Sequence, residues 1–143
     1  MLATLGACQP GNPTAAQPQC YAHYSEEDSS VLRLAALAPA VRGRFTFLTA
    51  DHSDGTDGLL RGAMHGDTLL ADYWLGEEAS GISAPVAFLR WRGGWVEGWG
   101  DIDITQPGKH FTFKNPTALR YDTTRVFHSC ACPPPPAARL PTR

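Results

Sequence analysis

The chain has 143 residues, 43% of them hydrophobic and 18% charged, with a net charge of −2. That length suits one domain with its own core, and the balance excludes a solvated, disordered body. It holds neither the clustered basic face that nucleic acid requires nor an apolar run long enough to cross a bilayer as a helix.

Along the chain, apolar residues recur with a period of two between breaks of Gly, Pro, Asp and Asn, which predicts an all-β domain. Residues 1 to 8, MLATLGAC, end in Leu5-Gly6-Ala7-Cys8, which resembles the lipobox whose cysteine is lipidated after signal-peptide cleavage. The charged start and most of the apolar segment of a signal peptide do not precede it, so the natural coding sequence is expected to begin further upstream. Residues 9 to 19 carry three prolines and no large apolar side chain. They read as a disordered tether reaching roughly 18 Å by random-coil scaling.

The β domain is expected to start at Cys20 and run to Cys130. Cys20 to Tyr24 is a first short strand and Ser25 to Ser30 a polar turn. Val31 to Leu37 and Val41 to Thr49 are the next two strands, although VLRLAALA also has helical propensity. Residues 51 to 58, DHSDGTDG, suggest a calcium loop, but Gly62 stands where an EF-hand needs its glutamate. A solvated hairpin loop is the expected structure there.

Gly58 to Leu75 is the strongest hairpin signal. Two apolar runs flank Gly66-Asp67, a connection suited to a primed turn. Counting outward pairs Met64 with Leu69, Arg61 with Asp72 and Leu60 with Tyr73. A second hairpin is expected over residues 84 to 100, turning at Gly93-Gly94. The same counting there pairs Trp91 with Val96, Arg90 with Glu97 and Phe88 with Trp99. Arginine thus meets an acid in both ladders. Asp101 to Ile104 is expected to extend the last strand, followed by short strands at Lys109 to Phe113 and Thr123 to His128. Residues 131 to 143 form a proline-rich tail expected to be disordered. The whole reads as a small antiparallel meander that closes into an eight-to-nine-stranded barrel, with a β-sandwich as the alternative.

CYAHY, GDTLLADY and VAFLRWRGGWVEGWG, followed by a terminal cysteine, resemble segments of an uncharacterised group of small bacterial envelope lipoproteins. The resemblance spans Cys20 to Cys130. It implies a small β domain behind a lipid anchor, with the membrane as partner and the periplasmic or outer-membrane face of the envelope as location.

Four cysteines carry the clearest chemistry. With Cys8 lipidated, Cys20 and Cys130 remain at the two ends of the meander, which are neighbours in a closed barrel of even strand number. A disulfide between them is expected in an oxidising envelope, with Cys132 as the alternative partner. A metal site on His128, Cys130 and Cys132 competes, but Cys-x-Cys is not common zinc spacing, so no metal and no cofactor is expected. No Gly-x-Ser-x-Gly elbow is present. His65 sits beside a turn, and Asp101 and Asp103 share a strand face in the manner of a solvated edge. Catalysis is therefore not expected. The biochemical role is left unassigned; binding of a small amphipathic ligand is one expectation, a structural or protein-interaction role in the envelope is the alternative, and a hydrolase ranks behind both. Trp74, Phe88 and Trp99 would then form a wall, and Arg61, Asp72, Arg90 and Glu97 its polar groups, provided these charges point inward.

Overall fold

The computed structural model describes residues 17–51, 53–75, 81–105 and 108–133. Among these it contains ten strands and no helix. The chain runs through β1 (Gln19–Tyr24), β2 (Asp28–Ala36), β3 (Val41–Thr49), β4 (Gly55–His65), β5 (Thr68–Leu75), β6 (Ile82–Trp91) and β7 (Gly94–Trp99). Two short strands follow, β8 (Ile102–Asp103) and β9 (Thr112–Phe113), before the long β10 (Arg120–Cys130). β1 to β7 lie side by side in chain order, and β10 fits between β7 and β1 to close an eight-stranded antiparallel barrel. Closure removes both open edges that a flat meander would expose. Lipobox, most of the tether and the tail beyond Pro133 lie outside the described residues.

Alternation decides what fills the barrel. Leu32, Phe45, Leu60, Leu69, Tyr73, Phe88, Trp95 and Phe127 all point to one core. At its centre Phe88 packs edge-on against Phe45 and Phe127, at centroid distances of 5.5 and 5.7 Å. Such contacts add about 0.5–1.5 kcal/mol each beyond the area they bury. VLRLAALA is a strand rather than a helix, because Leu32 and Leu34 must face this core at a spacing of two.

The first hairpin has the expected register throughout, from His65 opposite Thr68 to Gly58 opposite Leu75, with Arg61 opposite Asp72. Gly66 supplies the positive φ, +62°, at the first turn position. The second hairpin differs. Its turn is Arg92-Gly93, both with positive φ (49° and 80°), so Trp91 faces Gly94 and Arg90 faces Trp95. Glu97 faces Phe88, not Arg90, and the expected Arg90–Glu97 pair does not form. Gly94 is the first residue of β7, where a Cβ would run into the Phe127 carbonyl of β10. Its lack of a side chain serves that close approach rather than the turn.

Asp101 to Ile104 departs from expectation too and does not extend β7. Ile102 and Asp103 pair instead with Phe113 and Thr112 in a separate two-stranded arm. β7 covers β6 only from Ala87 onward, which leaves the start of β6 an edge. The arm covers it. Ser83 N–H donates to the Lys109 carbonyl (2.9 Å), and Phe111 N–H donates to the Ser83 carbonyl (3.1 Å). Pro85, which has no N–H to donate, lies in this stretch of β6 that β7 does not reach.

Candidate functional site

The two ends of the barrel differ in what they carry. One end holds the tight turns at Gly66-Asp67 and Arg92-Gly93, the start of β1 and the end of β10. The other is where β3, β5 and β7 end, ahead of the longer intervening stretches of sequence. The most exposed large apolar side chains among the described residues are Tyr24, Leu75, Ile82, Trp99, Ile102 and Ile104. All six belong to this second end or to the connection that leaves it. Leu75 and Ile82 are directly paired, and Trp99 ends β7 on the same side of the barrel, one strand beyond β6. Long connections on a rigid scaffold are where binding surfaces are usually built.

Between this rim and the apolar core lies a small set of polar side chains. Glu97 is half-buried, opposite Phe88. Arg125 of β10 and Asp28 of β2 form an ion pair at 3.5 Å. Burial pushes the Glu97 carboxyl up to about 7, against an opposing pull from the Arg125 charge. The folded chain therefore keeps a proton on Glu97 between the ordinary glutamate range near 4.5 and about pH 7, where the unfolded chain has lost it. A raised carboxyl pKa makes stability fall as pH rises through that window, by about 3 kcal/mol for this group. Glu97→Gln should abolish this part of the slope and raise the urea midpoint at pH 8 relative to wild type. Urea titrations of both proteins at pH 5 and pH 8 measure it, and parallel slopes would contradict the assignment.

The seven residues expected to form one ligand site are spread over four places. Phe88 is fully buried at the centre of the core. Arg61 and Asp72 face each other on the outer wall. Trp74, also on the outer wall, meets the His110 ring edge-on at 4.7 Å. Arg90 lies at the tight-turn end, its guanidinium over Trp95 at 4.8 Å and near Asp67 at 4.0 Å. Only Glu97 and Trp99 share the long-connection end. Two shifts explain the scatter: the different register of the second hairpin, and the parity that turns Asp72 and Trp74 outward when Tyr73 faces in.

Sequence reasoning missed the contact between Ser83 and His110, whose Oγ and Nδ1 are 3.0 Å apart. Asp72 lies close enough for His110 to act on its charge, while burial, the larger influence, raises the Asp72 pKa. Serine, histidine and acid together are the residue types of a hydrolase. Here the serine is fully buried under the arm, and the bond fastens the arm to β6. A period-of-two reading gives no signal for it, because it assigns Lys109 to Phe113 a short strand without saying which strand it packs against.

The third cluster is the closing seam. Cys20 faces Cys130 across β1 and β10, as expected from an even strand number. The disulfide, however, joins Cys20 to Cys132, with Cα atoms 5.0 Å apart, and Cys130 is a free thiol. Directly opposed ladder residues keep Cβ atoms about 4.5–5.5 Å apart, beyond the about 3.8 Å a disulfide prefers. Cys132 lies past the end of β10 and is released from that constraint. Among the described residues no group of three or more His, Cys, Asp or Glu side chains is arranged to hold a metal. The fold thus defines a small, disulfide-closed, up-and-down β-barrel with a packed core. No family model, curated protein or solved structure matches the chain.

Proposed function

We propose that this protein is an envelope lipoprotein that acts as a non-catalytic binding module, engaging a protein partner through the long-connection end of its barrel. The observation that carries this reading is the gathering of exposed apolar side chains, Trp99, Leu75 and Ile82 foremost, at one end of a barrel whose centre is filled. Contiguous exposed apolar surface rimmed by polar groups is characteristic of interaction sites. The position of the chain ends supports the same reading. Gln17 and Pro133 both lie by the tight-turn end, in a groove that also includes Gly93. With Cys8 lipidated, the tether would leave the barrel there, and the apolar end would face away from the membrane. The disulfide fits an oxidising compartment such as the periplasm.

Photo-crosslinking residues placed at 99 and 82 should yield adducts in cells, whereas the same residue at 67 or 92 should not. Once the partner is isolated, Trp99→Ala should cost about 2 kcal/mol of binding, roughly thirtyfold in affinity, as truncation of a central aromatic anchor does. Adducts from both ends alike would reject the orientation. Restoring an upstream signal sequence should send the protein to the membrane fraction, and Cys8→Ser should release it.

A second reading keeps the small amphipathic ligand. It is favoured by Glu97, a carboxyl facing the interior beneath the apolar rim. Under that reading an amphipathic library should give thermal shifts that Glu97→Gln removes while crosslinking at 99 stays blank.

A further inference from the structure

Three cysteines meet where the barrel closes, and only two of them can be bonded at once. Cys20 is bonded to Cys132, while Cys130, half-buried and unbonded, is the ladder partner of the same Cys20. All three line one groove of about 580 Å³ with Tyr21, Arg33 and Ser129. Arg33 is the ladder partner of Cys20 on its other side. Its guanidinium also donates to the Pro133 carbonyl, at 3.4 Å, which holds the segment after Cys132 against the barrel. His128 lies on the same outer face of β10 as Cys130.

We infer that this seam is an intramolecular thiol–disulfide exchange site, in which Cys130 and Cys132 compete for Cys20. The Cys130 thiolate attacks the sulfur of Cys20. A Cys20–Cys130 bond forms, the Cys20–Cys132 bond breaks, and Cys132 leaves as a thiolate that takes up a proton from solvent, replacing the one Cys130 lost. The sulfurs undergo no net oxidation or reduction, so no external oxidant is needed.

The two isomers differ in what they restrain. In the first, the covalent link reaches past β10 and holds residues 131 to 133 to the barrel. In the second, the seam stays closed between opposed strands, and the reactive sulfur moves onto the segment that leaves the barrel. The β1–β10 ladder has three residue pairs, against eight between β4 and β5, so this seam is the one best able to adjust to the shorter cross-strand span. The device hands a thiol from the barrel wall to the C-terminal segment, where it can form a mixed disulfide with a partner's cysteine.

The full chain, purified oxidised, is incubated without redox reagent at a series of pH values, alkylated, digested and mapped by mass. Label should start on Cys130 and appear on Cys132 with time. The rate should rise about tenfold per pH unit in the acidic range, because the thiolate is the attacking species. It should not depend on protein concentration. Oxidised Cys132→Ser should form the Cys20–Cys130 link with an unchanged circular dichroism spectrum. Label confined to Cys130 at every pH, transfer that depends on protein concentration, or a free Cys20 in oxidised, folded Cys132→Ser would each overturn the proposal.

Discussion

Phe88→Ala is expected to lower the stability of the barrel by about 3 to 5 kcal/mol, enough to unfold much of a domain of ordinary stability at physiological temperature. Phe88 is fully buried, and it touches both other members of the central aromatic cluster, Phe45 and Phe127. Those two side chains come from β3 and β10. The cavity left by the alanine would therefore be bounded by strands from different parts of the barrel wall. A closed barrel cannot collapse onto such a cavity by moving one strand, because each strand is bonded on both sides. Urea denaturation followed by tryptophan fluorescence measures the loss. Leu89→Ala, on the neighbouring position that faces outward, should cost about 1 kcal/mol. Equal losses at the two positions would show that the inward register of β6 is wrong.

The second large effect belongs to the disulfide. Cys20→Ser should cost about 4 to 5 kcal/mol in the chain-entropy account, because the bond spans a sequence separation of 112 and so restrains most of the unfolded chain. It should exceed the effect of Cys132→Ser, since that variant retains Cys130 opposite Cys20. The barrel hydrogen bonds survive the change, so the native spectrum should persist at low denaturant while the urea midpoint falls. Adding reductant to wild type should produce the same shift. A midpoint insensitive to both would mean that the seam is held by its ladder alone.

The Glu97 measurement bears on function as well as stability. A carboxyl that stays protonated to about pH 7 can donate a hydrogen bond within the barrel. Its loss of protection as pH rises would couple occupancy of the long-connection end to pH. The same titrations, repeated with an isolated partner or ligand bound, separate that coupling from bare stability.

Which parts of this architecture were legible from residue order follows from the range of each interaction. The first hairpin was readable to the residue, because Gly66-Asp67 fixes the turn and the alternation on both sides agrees with it. The all-β class, the closing meander and the approach of Cys20 to β10 followed from period-two runs and an even strand number. These depend on neighbours along the chain or on simple counting. Three features required the third dimension. The backbone of Arg92 and Gly93, both at positive φ, sets the turn of the second hairpin one residue earlier and parts Arg90 from Glu97, while Gly94 meets β10, more than thirty residues downstream in sequence. The arm left the line of β7 because β6 had an uncovered edge, which becomes visible only once the barrel is assembled. Cys132 takes the bond to Cys20 in place of Cys130 because a residue past the end of β10 is free of the ladder spacing that an opposed pair must first adjust. Local order thus determined the strands and the fold class. The choice among glycines, acids and cysteines that look equivalent in the sequence was decided by steric contacts between strands that meet only when the barrel closes.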